Sequence, residues 1–120
     1  MRNFKKLPAW QKGMEIVMLV SELGQPLQAS GKSSYADLMS KAALEVPSNI
    51  AIGSSYESDT EYRNYLRLSL GACFQLETLL LVVEELGLIG KEEVEQLSAL
   101  LDEEKKLLLD FMRQLIWRGA

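Results

Sequence analysis

From Ser58 to Leu86 the chain contains no proline and a single glycine, Gly71, so nothing interrupts a helix of about 28 residues, roughly 40 Å long. Ser58-Asp59-Thr60-Glu61 is a capping box at its start: the Ser58 hydroxyl accepts from the Glu61 amide and the Glu61 carboxylate reaches back. Asp59 and Glu61 also suit the positive pole of the helix dipole. Gly87 supplies the C-terminal glycine. Tyr62, Leu66, Ser69, Cys73, Leu76, Leu80 and Val83 form a seven-residue seam, which Tyr65, Leu68, Ala72, Leu79, Leu81 and Val82 extend beyond one face. A single seam would satisfy a bundle; this helix has more.

The rest of the chain supplies three partners of the same kind. Leu7-Pro8-Ala9-Trp10 opens a helix with proline in its first turn. Trp10, Met14, Val17 and Leu23 keep helical spacing, and Gly24-Gln25-Pro26 is expected to end it, with Leu27 to Ser34 as a connection. A second helix is expected from about Ser34 to about Ser54, with Tyr35, Leu38, Met39, Ala42, Val46, Asn49 and Ile50 along one side and Ala43 and Ala51 allowing close approach. A fourth opens at Lys91-Glu92-Glu93 and runs to about Trp117. Its seam of Val94, Leu97, Leu101, Leu108, Phe111 and Leu115 is interrupted only at Glu104. These patterns predict one all-α domain over residues 1–120, an antiparallel up-down four-helix bundle with a proline-kinked second helix.

Inside that second helix stands Lys41-Ala42-Ala43-Leu44-Glu45-Val46-Pro47-Ser48-Asn49-Ile50-Ala51-Ile52-Gly53. Pro47 removes one backbone donor and presses on the carbonyl of Ala43, so a bend is expected there, offset by packing. Asn49 is the polar residue to watch: if it is buried, its amide is expected to bond backbone that the proline frees.

Composition narrows the chemistry. With 48% hydrophobic and 25% charged residues the chain is ordinary globular material. No apolar run of about 20 residues and no signal peptide is evident, which predicts a cytoplasmic protein without a membrane partner. The lack of histidine removes the commonest general base and metal ligand. Lone Cys73 reads as a buried thiol. Glu92, Glu93 and Glu95, like Asp102, Glu103 and Glu104, read as solvated faces, not a cation site. Gly31-Lys32-Ser33 lacks the first glycine and the preceding strand of a phosphate-binding loop. Lys41 and Glu45 have the spacing of an ordinary helical ion pair. The expectation is a protein that is not an enzyme and uses no cofactor or metal.

Several residues together carry a family resemblance. They are Phe4, Leu7, Trp10 and Gln11; Lys41-Ala42-Ala43, then Val46-Pro47-Ser48-Asn49-Ile50-Ala51 and Gly53; Glu61-Tyr62, Tyr65-Leu66, Leu70-Gly71, Leu76-Glu77-Thr78 and Leu86-Gly87-Leu88-Ile89. The chain resembles the 23S ribosomal RNA intervening-sequence proteins, bacterial four-helix bundles related to the accessory variability determinant of diversity-generating retroelements. Lys41, Pro47, Ser48, Asn49 and Gly53 are its structural motif. The resemblance implies a closed antiparallel bundle that assembles into a homo-oligomeric ring, a pentamer, with no established enzymatic activity. For the retroelement relatives it implies binding to nucleic acid and to a protein partner. This chain has Lys41, Glu45, Ile52, Ser55, Tyr56 and Gln75 where the family usually has Arg, Ser, Glu, two basic residues and Glu, which reduces polar and basic character around the motif.

Charge is uneven. Net charge is −4 and pI about 4.9, yet the first twelve residues hold Arg2, Lys5, Lys6 and Lys12 with no acid, while Glu84 to Glu104 holds acids with one lysine, Lys91. Arg2, Lys5, Lys6, Lys12, Arg63 and Arg67 are the candidate contacts to RNA or DNA phosphates, with Lys105, Lys106, Arg113 and Arg118 as further cations. Against this stands the acidic pI, since nucleic-acid-binding domains commonly carry a basic footprint. A scaffold that binds only itself or a protein partner is the competing expectation. Apolar surplus on the third and fourth helices points to a homo-oligomer.

Overall fold

A computed structural model describes residues 3–119, with side chains described for 3–115. A single 3-10 turn over Phe4–Lys6 precedes four helices: α1 (Pro8–Ala29), α2 (Ser33–Ser54), α3 (Asp59–Glu85) and α4 (Lys91–Gly119). Three short links, 30–32, 55–58 and 86–90, reverse the chain each time, producing a rod of 50 × 20 × 20 Å. Each helix packs on its neighbour in sequence and α4 closes on α1, the leanest of the four seams. Among the described residues there is no strand. The expected antiparallel four-helix bundle is the observed fold.

Local chemistry explains the ends. The Ser58 hydroxyl accepts from the Glu61 amide at 3.3 Å, as the capping box requires. At the other end of α3, Gly87 takes φ +72°; its amide donates to the Glu84 carbonyl at 2.9 Å while the Leu88 amide reaches back to Val83 at 2.9 Å. This paired bonding closes the last turn.

Helix α1 departs from expectation. It passes through Gly24 and Pro26 and ends only at Ala29. The same paired closure appears around Gly31, φ +78°, where the Lys32 amide donates to Leu27 at 2.8 Å and that of Gly31 to Gln28 at 3.2 Å. Gly24 is buried, and a Cβ on it would stand 3.5 Å from the Ala36 side chain; its smallness serves the α1–α2 approach instead of a cap. Pro26 is exposed one turn from the end, where the loss of a single hydrogen bond is tolerated. Gly31-Lys32-Ser33 is thus a helix stop followed by the start of α2.

Every member of the α3 seam from Tyr62 to Val83 is buried. Helix α2 continues through Pro47, which is itself buried, while Leu38 turns outward at 47% exposure. Trp10 is half-buried, its ring meeting Phe4 edge-on with centroids 5.4 Å apart. Trp117 lies outside the residues whose side chains are described.

Candidate nucleic-acid and self-association surfaces

The antiparallel topology gathers the beginnings of α1 and α3 and the end of α4 at one pole of the rod. Lys5, Lys6, Lys12, Arg63, Arg67, Lys106 and Arg113 all fall in that half, interspersed with Glu15, Glu45, Glu57, Asp59, Glu61 and Asp110. Arg2 lies outside the described residues. Among the described residues the opposite half collects Glu22, Asp37, Glu84, Glu85, Glu92, Glu93 and Glu95 around Lys32, Lys41 and Lys91. The fold therefore makes one half of the rod acidic and gathers most of the cations, with acids among them, in the other.

Within the basic half the cations differ in availability. Lys5 and Lys6 are exposed on the 3-10 turn, which is pinned by Asn3 Oδ1 accepting from the Lys5 amide at 3.3 Å and by Gln11 Nε2 donating to the Lys5 carbonyl at 3.1 Å. Lys12 is bound to Glu103 at 2.9 Å and Glu15 at 3.3 Å, and these two carboxylates, Glu103 foremost, raise its pKa. Arg67 is exposed and donates to Asn64 Oδ1 at 3.0 Å; Arg63 is half-buried against Thr60 at 3.5 Å. Arg113 pairs with Asp110 at 3.1 Å.

The motif residues divide between packing and surface. Lys41 and Ser48 are exposed, Asn49 half-buried, Pro47 and Gly53 buried. A Cβ on Gly53 would stand 2.8 Å from Tyr65 Cβ and 2.9 Å from the Tyr62 ring, so α2 and α3 cross closely there only because position 53 lacks a side chain. Asn49 Nδ2 donates to the Glu45 carbonyl at 2.8 Å. This corrects the expectation that it would serve the carbonyl freed by Pro47, which belongs to Ala43: the short amide reaches one turn back along its own helix. The buried polar bond at the motif comes from α3, where Ser69 Oγ donates to the Val46 carbonyl at 2.7 Å.

The outer side of α3 is apolar. Leu68, Val82 and Leu86 lie along one edge with Gln75 among them, Phe74 and Leu81 along the other, with Gly71 and Thr78 between, and all are exposed. Leu68, Phe74, Leu81 and Leu86 are each more than half exposed, at 57%, 52%, 53% and 53%. Between Arg67 and Glu84 the only charged residue is Glu77, held by Lys105 at 3.1 Å, whose ammonium also sits 4.9 Å from the Phe74 ring centre. A stretch of 18 residues in α3 has mean hydropathy 1.6, sufficient for a membrane span by length and composition, and 39% of it is buried in the bundle. It stands against the expectation of no such run; seam residues such as Ser69 and Cys73, together with Ala72, account for the buried share.

Two buried groups complete the picture. Burial pushes the Cys73 thiol up to about 12, with a smaller contribution from Glu104, so the thiolate that reactivity needs is suppressed. Glu104 is fully buried, which overturns its reading as part of a solvated face. In the heptad register it follows Leu101 by three and precedes Leu108 by four, both core residues, so the register turns it inward whatever its polarity. The break in the seam was the signal. Its neighbours Glu103 and Asp102 do face outward, the first on Lys12 and the second on Lys105 at 3.4 Å.

Comparison with known proteins places this geometry. The family model described as 23S rRNA-intervening sequence protein matches residues 5–110. The chain belongs to this family. That 23S rRNA-intervening sequence protein fold is shared by a crystal structure from Bacteroides thetaiotaomicron VPI-5482, titled as a protein with unknown function from the S23 ribosomal protein family. The two align with a TM-score of 0.81 at 19% identity, over 87% of this chain and 97% of that one. At that identity the likeness is one of fold. No curated protein matches the chain.

Proposed function

We propose that this 23S rRNA-intervening sequence protein is a non-enzymatic, cytoplasmic, self-assembling bundle whose assembled form presents its basic poles to RNA or DNA. The observation that carries the proposal is the uncharged outer face of α3 running beside an axially sorted charge distribution. A surface with four large apolar side chains more than half exposed is stabilised by being covered, and a second copy of the chain is the partner always present with it. Copies arranged side by side in parallel, five by the family resemblance, set every basic pole on one rim. A modest cationic patch repeated around a rim gains by avidity what each copy lacks.

Acids interleaved at the basic pole, and the commitment of Lys12 and Arg113 to ion pairs, favour a second reading. In it the assembly is a scaffold for protein contacts and leaves nucleic acid alone. Light scattering and fluorescence anisotropy separate the two. The proposed function requires a mass that is a multiple of the 13.5 kDa chain and binding of a labelled RNA or DNA oligonucleotide that weakens steeply as salt rises. A monomeric mass removes the assembly, and a multimer that binds no oligonucleotide at low salt leaves the scaffold.

A further inference from the structure

Glu104 is in an unusual position for a charged side chain. It is fully buried, and among the described residues neither carboxyl oxygen meets a hydrogen-bond donor. Room for it is made by Gly13 on α1: a Cβ there would stand 3.1 Å from Glu104 Oε2 and 3.3 Å from both the ring and the nitrogen of Pro47. Carboxyl, glycine and proline thus meet where α1, α2 and α4 converge. From α1 the charged neighbours are Lys12 and Glu15; from α3 the Cys73 thiol feels Glu104; on α4 itself Glu103 and Lys105 flank it; from α2 the neighbour is Pro47. Lys12, next to Gly13, bridges Glu15 and Glu103 at the mouth of this contact with its side chain 22% exposed.

We propose that Glu104 and Lys12 form a proton-operated latch on the α1–α4 seam. With Glu104 neutral, the seam is closed and Lys12 holds Glu15 and Glu103 across its outside. When Glu104 gives its proton to solvent, a carboxylate is left in a place that offers it no donor. Such a buried charge is tolerated only if it is paired or hydrated. Lys12 is the cation placed to answer it, and reaching inward means releasing Glu103. The seam then loses its outer ion pair and admits water at the least extensive of the four helix contacts. Burial raises the Glu104 acid to about 8, with Lys12 opposing the rise and Glu15 adding to it, so the latch operates just above neutral pH.

The direct test is carboxyl carbon NMR of the intact protein from pH 5 to 10, with backbone hydrogen exchange over the same range. The Glu104 carboxyl is expected to titrate near pH 8, and Lys12→Met is expected to shift its midpoint upward, which a merely structural Lys12 would not do. Exchange corrected for intrinsic rate should quicken above that pH around residues 12 and 104, stay slow around Val46 and Ser69, and show no such step in Glu104→Gln. A midpoint in the ordinary glutamate range of about 4.3 overturns the proposal, as does an unmoved midpoint in Lys12→Met or a uniform exchange response. The wild-type titration needs no variant to fold.

Discussion

Ser69 Oγ donates a buried 2.7 Å hydrogen bond from α3 to the carbonyl of Val46, the residue immediately before Pro47 in α2. The bond ties the two helices at the turn where proline has removed a donor from α2. Asn49, two residues past the proline, bonds only within its own helix. Replacing each tests which of them supports the turn. Ser69→Ala should lower unfolding free energy by about 1 kcal/mol, because Val46 keeps its helical bond but the inter-helix one is lost. Asn49→Leu should cost less than Ser69→Ala in the same urea titration; the reverse order would return the structural role to Asn49.

Two glycines of α2 and α3 should respond in opposite directions. Gly53→Ala places a methyl 2.8 Å from Tyr65 Cβ and 2.9 Å from the Tyr62 ring, an overpacking worth about 1–3 kcal/mol of lost stability. Gly71 is exposed, and an added Cβ meets nothing within 4 Å, so Gly71→Ala should raise helix stability by roughly 0.5–1 kcal/mol. Thermal unfolding at a low, fixed protein concentration reads both.

Stability should fall as pH rises through the range set by Glu104. Its acid has an ordinary value of 4.5 and a folded value of about 8, so the folded bundle binds more protons than the unfolded chain between them. The contribution is therefore complete below pH 4.5 and is lost progressively up to about 8. Its size is of the order of a few kcal/mol. Glu104→Gln should remove this slope in denaturant titrations across that window, while other carboxylates set whatever dependence remains below it.

Assembly should depend on the outer face of α3. Leu81 is 53% exposed, so Leu81→Asp changes no core contact and is expected to alter monomer stability by less than about 0.5 kcal/mol, yet to lower the mass seen by light scattering. Retention of the wild-type mass would move the contact to another face.

If the basic pole binds nucleic acid, the exposed cations should matter more than the paired one. Lys5→Glu with Lys6→Glu should weaken oligonucleotide binding at low salt and flatten its salt dependence. Lys12→Met should do less, since Lys12 is already neutralised by Glu15 and Glu103.

Periodicity made the bundle legible. The seams of α3 and α4, the capping box at Ser58 and the stop at Gly87 follow from spacing and from which side chains can bond their own backbone, and these are local properties. The reading failed at Gly24 and Pro26 because both residues signal a helix end locally, while packing of α1 on α2 placed the cap at Gly31. Near Pro47 the buried bond comes from Ser69 and not from Asn49, since the choice between two polar residues there depends on which one the facing helix presents.

The sequence by itself determined the number of helices, their heptad seams and the family, because hydrophobic spacing and backbone capping act over a few residues. Only the tertiary structure decided that Gly13 opens a place for Glu104, that Gly53 receives Tyr62 and Tyr65, and that cations from α1, α3 and α4 share one pole. These are meetings of residues distant along the chain, fixed by the rotation and crossing of packed helices, and a one-dimensional pattern holds no record of them.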